Sequence, residues 1–250
     1  MPRQARKKCE SRIYHVMLRG INQQLIFEDE DDSRKFLDVL REYKEVCGYE
    51  LHAYCLMGDH LHLLIKEQNE PLAQVFRRIC GRYVYWYNNK YQRIGHLFQD
   101  RYKSEPVENS SYYLTVIRYI HQNPIKAGLC DKVGDYPFSS YNEYVHDDKN
   151  KIINTDLMFE IINKVGFVEY NNEKNDDKCL DIIEKHFGIN DEEAKKIIRR
   201  TTKCENVSEF QLLESKVRDN YIFKLKEKGL SIRQISRLTG ISEGTVERVA

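Results

Sequence analysis

The chain of 250 residues has no disulfide pattern, no net charge of consequence and no long apolar run. Its seven cysteines stand singly at 9, 47, 55, 80, 130, 179 and 204, with no Cys-x-x-Cys pair and an odd total. That scatter argues for reduced thiols rather than a disulfide framework. Lys and Arg number 40 against 39 Asp and Glu, a formal net charge of +1. No global basic field announces nucleic acid, so any DNA footprint must be local. No stretch reaches membrane-span length, which excludes a spanning helix. The basic opening Met1–Lys8 leads into no apolar core of signal-peptide length. No internal repeat or low-complexity tract is visible. A cytoplasmic protein without a membrane partner is expected. With 41% hydrophobic and 32% charged residues, the chain can build one large domain or two smaller ones under a polar surface.

What is present centres on Cys55-Leu-Met-Gly-Asp-His-Leu-His-Leu-Leu-Ile65. This apolar run reads as a buried strand. A strand repeats every two residues, so His60 and His62 point to one face and Leu61 to the other. Two neutral imidazoles on one face can hold a divalent cation. A second stretch, Tyr119-Ile-His-Gln-Asn123-Pro, reads as a helix, in which residues four apart share a face. Tyr119 and Asn123 then project together, a hydroxyl nucleophile beside a carboxamide ligand. Set next to a two-histidine metal site, they make a phosphodiester-cleaving centre. Tyr119 is one of 17 tyrosines, and Tyr112 and Tyr113 are rival nucleophiles, but neither has an amide four residues on. The plain reading of each residue is packing: His-x-His in a core strand, Tyr119 in a core, Asn123 as a helix end. His15, His52 and His96 are assigned to packing, and His121 to a solvated helix end.

The surrounding pattern gives the architecture. A strand over 13–19 is followed by an acidic helix start at Asp29–Asp32, and that helix runs to about Cys47 and stops at Gly48. Strands over 49–56 and 60–66 flank the short Met57-Gly58-Asp59 link and form an antiparallel hairpin. Pro71 opens a second helix. A fourth strand is expected within 95–107, and a third helix from Ser110 that Pro124 stops. The order β-α-β-β-α-β plus a helix predicts an α+β protein with a ferredoxin-like split βαβ antiparallel sheet. Residues 1–145 make the first domain and 146–177 a helical extension and linker, with wholly polar Asn171–Asp177 as the link. Residues 178–250 make a small all-α domain. It contains a helix from Leu180 ended by Gly188, another from Asp191, and a long one over 210–228. Ser231-Ile-Arg-Gln234 is a capping-box match, and the helix, Gly240 turn and helix after Ser242 form a helix-turn-helix pattern.

Four motifs, spread over Tyr14 to about Tyr144, carry a resemblance. They are Tyr14-His15-Val16 with Arg19-Gly20, Met57-Gly-Asp-His-Leu-His62, Gly95-His-Leu-Phe-Gln-Asp-Arg-Tyr102, and Tyr119-Ile-His-Gln-Asn-Pro-Ile-Lys-Ala-Gly-Leu129. In this order they resemble the single-tyrosine HUH (His-hydrophobe-His) transposases, above all the REP-associated tyrosine transposases. Gly58-Asp59 stands where many members have Pro-Asn, a change confined to the turn. The C-terminal part loosely resembles the helix-turn-helix region of bacterial replication initiators. The likeness implies that His60, His62 and Asn123 ligate a metal, that Tyr119 is the nucleophile, and that the substrate is single-stranded DNA folded into hairpins.

That chemistry calls for Mg²⁺ or Mn²⁺. A phenol with an ordinary pKa of about 10 needs activation. Attack would give a 5′-phosphotyrosine and a free 3′-hydroxyl that can later rejoin DNA without a nucleotide cofactor. Single-stranded DNA also needs cations and aromatic platforms. Arg77, Arg78, Arg82, Lys90, Arg93, Arg101 and Lys103, interleaved with Tyr83, Tyr85, Trp86 and Tyr91, are the candidates. Arg19 and Asn22 follow the first strand. Thr245 and Arg248 could reach bases from the last helix, although Glu243 and Glu247 there repel phosphate. The expectation is thus a metal-dependent DNA transposase or strand transferase. The alternatives are a non-catalytic DNA-binding regulator and a water-using metal-dependent phosphodiesterase. Whether it works as a monomer or a homodimer stays open.

Overall fold

Seven residues, Ile13–Arg19, form β1, buried on both faces from Ile13 to Leu18. The computed structural model describes residues 9–146, 150–180, 191–204 and 206–249. The chain divides into two compact units, Met1–Asp181 and Ile182–Ala250.

In the first unit β1 leads to α1 (Glu30–Cys47), which begins with a complete capping box between Asp29 and Asp32 and ends at Gly48 with φ 68°. The box satisfies two orphan amides, and a left-handed C-cap favours glycine. β2 (Glu50–Leu56) and β3 (His60–Lys66) follow as an antiparallel pair, then α2 (Leu72–Lys90). The fourth strand is shorter than expected: β4 is only Lys103–Pro106, at the sheet edge. Residues 95–102 reach the sheet by one isolated bridge, Gly20 to Phe98. The strand order is β2-β3-β1-β4, all antiparallel. This is the ferredoxin-like α+β arrangement.

Strand alternation gives the sheet two characters. Val16, Leu18, Leu61, Leu63 and Ile65 share a face and are buried. α1 and α2 cover it, with Phe27, Phe36 and Tyr83 meeting ring to ring. The opposite face carries His15, Met17, Arg19, His60 and His62, and α3 (Ser110–Lys126) lies over it. Pro124 was expected to stop α3 and does not. The helix passes through it to Lys126, and Gly128, at φ 70°, turns the chain away, its amide and that of Leu129 donating to the carbonyls of Ile125 and Pro124. Proline costs one amide bond, but here the buried face from Tyr113 to Pro124 holds the turn in place.

α4 (Tyr141–Val145), α5 (Asp156–Ile161) and α6 (Lys164–Asn172) complete this unit. Within residues 146–177, expected as a helical extension and linker, α5 and α6 supply the helices, Ile152 and Asn154 bond Lys44 and Leu51, and α6 packs near α3. Phe167 is fully buried and stacks on Tyr144 and Tyr141. The polar stretch from Asn171 does not hang free, because polar partners meet it. Asn171 is buried against His121, and Asp177 forms a bidentate pair with Arg118 at 2.7 and 3.1 Å.

The second unit holds α7 (Asp191–Thr202), α8 (Val207–Gln211), α9 (Ser215–Glu227), α10 (Ile232–Thr239) and α11 (Glu243–Arg248). The helix expected from Leu180 to Gly188 lies almost wholly outside the described residues. The long helix expected over 210–228 is two: it breaks at 212–214, where Leu213 packs against the core of this unit. Ala194, Phe210, Ile222, Leu225, Ile235 and Val246 form that core. Ser231 and Ser242 cap α10 and α11, and Gly240 turns between them at φ 70°.

Candidate active site

The register of three strands assembles the site. Met17 of β1 lies opposite both His62 of β3 and Lys103 of β4, and Arg19 lies opposite His60. His15 lies opposite Glu105. One sheet face therefore gathers three imidazoles, two cations and a carboxylate around the hairpin that sequence reading singled out.

Each imidazole of the His-x-His pair has one nitrogen engaged. Asp59 Oδ1 is 2.7 Å from His60 Nδ1, and Arg19 sits 3.5 Å from the same carboxylate. Half-burial works against ionisation of Asp59, but His60 and Arg19 more than offset it, and the carboxyl titrates below its usual range. His62 Nδ1 is 3.0 Å from His15 Nε2, and His15 Nδ1 is 3.1 Å from Glu105 Oε1. That oxygen also accepts from Tyr112 Oη at 2.6 Å and from the Leu180 amide at 2.7 Å. Burial again opposes ionisation of Glu105, and these bonds outweigh it and hold its pKa low.

His62 is wholly buried, and its Nε2 has no hydrogen-bond partner. Burial first, then the nearby His15 and His60, pushes its pKa well below the ordinary histidine value. A neutral ring with an orphaned nitrogen is a competent metal ligand, and an unmet buried polar atom needs an explanation. The His60 and His62 ring centroids are 5.3 Å apart. Carboxylates behind both rings, one direct and one through His15, make a second layer of the kind that orients metal-bound histidines. The donor set thus fits a divalent cation. Among the described residues no three His, Cys, Asp or Glu side chains gather as a metal-holding group. A cation here would need a further ligand of another type, the part for which Asn123 is the candidate.

α3 brings Tyr119 to this face. Its ring meets His62 edge-on at 5.7 Å and His15 at 5.9 Å between centroids. Lys126 Nζ lies 4.7 Å from the centre of the Tyr119 ring. Asn123 follows one turn later in continuous helix and is buried, as is Tyr119. Of the rival tyrosines, Tyr112 is tied to Glu105, and Tyr113 donates to or accepts from His52 Nδ1 at 2.9 Å.

The remaining candidates fall in different places. Arg19 and Lys103 share the histidine face by register. Asn22 sits in a one-turn 3-10 helix just after β1, at φ 53°. Arg101 is exposed immediately before β4. Arg77, Arg78 and Arg82 are not brought to the histidines: they lie on α2, in the layer across the sheet. There Arg78 bonds Glu70 at 2.8 Å, and Arg82 faces Glu42 at 3.9 Å. Lys90 pairs with Asp29 and Asp32, and Arg93 bonds Gln24. Tyr83 is core, whereas Tyr85 is exposed. In the second unit Arg248 is tied to Thr245 and to the Gly244 carbonyl.

Three histidines differ from their sequence assignments. His96, assigned to packing, is exposed and lies outside any strand. His121 is not a solvated helix end. It is fully buried between Asn171 and Ser140, each at 2.9 Å, and burial lowers its pKa to about 4 despite the Asn171 bond. His15, assigned to packing, is wired into the site. Its sequence signals are its place in the Tyr14-His15-Val16 motif and its position on the strand face shared with Met17 and Arg19. Glu105 gave none, because its partner is set by the register of a four-residue strand.

Residues 8–123 match the family model described as "Transposase IS200 like". A REP-associated tyrosine transposase of Escherichia coli (strain K12) is 24% identical over 99 residues, covering 39% of this chain and 57% of that protein. A Haemophilus influenzae protein assigned as a REP-associated tyrosine transposase is 28% identical over 118 residues, covering 41% of this chain and 66% of that protein. The chain thus spans a little under two thirds of the curated relatives it matches. A solved structure of a REP-associated tyrosine transposase bound to a REP hairpin superposes with a TM-score of 0.51 at 17% identity. The match covers 58% of this chain and 86% of that one, and it shows a shared fold.

Proposed function

From the IS200-like transposase domain in residues 8–123, we propose that this chain is a metal-dependent DNA strand transferase. It nicks single-stranded or hairpin DNA through a tyrosine and rejoins it. The observation that carries the reading is the orphaned, buried Nε2 of His62 beside His60, with the Tyr119 ring 5.7 Å from that of His62.

His60, His62 and Asn123 would hold Mg²⁺ or Mn²⁺. The cation, when bound, polarises a phosphoryl oxygen and offsets developing charge. Tyr119 Oη supplies the nucleophile. Its oxygen forms a bond to phosphorus while the bond to the 3′-oxygen breaks. The phenol proton goes to solvent and the departing 3′-oxygen takes one up. The product is a 5′-phosphotyrosine and a free 3′-hydroxyl, and the reverse attack rejoins DNA with no nucleotide cofactor. Lys126 puts a positive charge beside the Tyr119 ring, where an anionic backbone would approach. Arg19 and Lys103 would form a cationic rim on this side, and Asn22 and Arg101 would add further DNA contacts. Thr245 and Arg248 belong to a second, helix-turn-helix contact with DNA. The fold match to a protein solved with a REP hairpin supports hairpin DNA as the substrate class.

The test uses labelled hairpin oligonucleotides copied from the DNA flanking the gene, incubated with protein and Mg²⁺ or Mn²⁺ and run on a denaturing gel. A protein–DNA adduct that chelator abolishes is the expected result. Cleavage without an adduct would replace this reading with the water-using phosphodiesterase. Binding without cleavage, over several hairpins, would leave a DNA-binding regulator.

A further inference from the structure

A hydrogen-bond chain crosses three strands, from Glu105 on β4 through His15 on β1 to His62 on β3. Its direction follows from what each atom can do. Glu105 Oε1 already accepts from the Tyr112 hydroxyl and the Leu180 amide, so it is an acceptor toward His15 as well. His15 Nδ1 must therefore carry the proton. A neutral imidazole has only one, so His15 Nε2 holds a lone pair and faces His62 Nδ1 at 3.0 Å. His62 Nδ1 must then donate, and the single proton of the neutral His62 ring is committed there. What remains is Nε2 with its lone pair, the buried atom that has no partner.

We propose that Glu105 and His15 are positioning residues that fix the tautomer of His62, so that its Nε2 lone pair is presented to a divalent cation. The part about the cation rests on reading His62 as a ligand; the tautomer assignment follows from the hydrogen bonds with both rings taken as singly protonated. The opposite tautomer would set a proton on Nε2 and bar it from any metal. His60 reaches the same state by a shorter route, its Nδ1 held directly by Asp59. Each of the two histidine candidates thus has a carboxylate behind it. The His62 carboxylate comes from the sheet edge and is also bonded by the backbone of Leu180, 75 residues further along the chain.

The deciding experiment is long-range ¹H–¹⁵N NMR of the histidine rings in the metal-free full-length protein near pH 7. The expected result is a proton on Nδ1 of both His15 and His62 and a bare Nε2 on His62. A protonated Nε2 on His62 overturns the proposal. This needs no variant and so does not depend on any substitution folding. The companion measurement is Mn²⁺ binding followed by electron paramagnetic resonance. His15→Leu removes the acceptor and should weaken Mn²⁺ binding about 10- to 100-fold, the usual cost of losing such an outer partner. In His15→Gln the carboxamide oxygen can still accept from His62 Nδ1, so binding should recover most of that loss. Equal Mn²⁺ affinity in wild type and a folded His15→Leu overturns the positioning role. A bare Nε2 in a wild-type protein that binds no Mn²⁺ would overturn the ligand reading and leave the tautomer assignment standing.

Discussion

Acid should unfold the N-terminal unit in a pH range set by histidines rather than carboxylates. His52 and His121 are both buried, and each has its pKa lowered to about 4. Burial is the main cause for both; Lys66 and Lys44 add to it at His52. A folded-state pKa below the unfolded value of about 6.5 means that the unfolded chain takes up protons first. Stability is then complete above pH 6.5 and falls as pH drops toward 4. At pH 5 each site has lost about 1.5 pH units' worth of linkage, or about 2 kcal/mol. The two together give about 4 kcal/mol, a large share of a typical domain's stability. His62 is shifted the same way and adds to the loss. Asp59 and Glu105 have lowered pKa values, so their contributions disappear only at more acid pH. The assay is urea unfolding at pH 7.5 and pH 5.0. Its signal is the fluorescence of Trp86, the single tryptophan, which sits in this unit. His52→Gln and His121→Gln should each cut the difference between the two pH values by about 2 kcal/mol. A wild-type stability that changes by less than about 1 kcal/mol over this range would refute the reasoning.

Further perturbations separate packing from chemistry. Phe167→Ala removes a fully buried ring stacked 4.6 Å from Tyr144 and should cost about 3–5 kcal/mol in the same unfolding assay. Arg118→Ala leaves Asp177 without its bidentate partner and should cost about 1–3 kcal/mol, read by urea unfolding at pH 7.5. Arg77→Ala should leave hairpin binding within about twofold, because its helix lies across the sheet from the histidines. Lys103→Ala should weaken hairpin binding and flatten its salt dependence by about one phosphate contact, measured by fluorescence anisotropy across a salt series.

The parts of the fold that sequence made legible are those with local signals. β1, β2 and β3 are short apolar runs bounded by turn residues, α1 carries its acidic start and its stop glycine, and α10 and α11 are marked by Ser231, Gly240 and Ser242. The face shared by His60 and His62 followed from strand period alone. Where the signal is tertiary, sequence reading ran out. β4 is four residues with no alternation, so its length and the pairing of Glu105 with His15 are set by the sheet edge. Pro124 read as a stop because the buried face that carries α3 past it is made by distant residues. The polar run from Asn171 read as a linker because its partners, His121 and Arg118, lie some fifty residues earlier. The distance of the α2 arginines from the histidines was not legible either, because periodicity does not say which side of the sheet a helix covers.

The central claim is that Tyr119 attacks DNA. The most direct test isolates the adduct formed with a hairpin oligonucleotide and Mn²⁺, digests it with protease and nuclease, and maps the modified peptide by tandem mass spectrometry. The account predicts a nucleotide phosphate on Tyr119, and no adduct from Tyr119→Phe. Attachment at Tyr112, Tyr113 or any other residue, or an undiminished adduct from Tyr119→Phe, would contradict it.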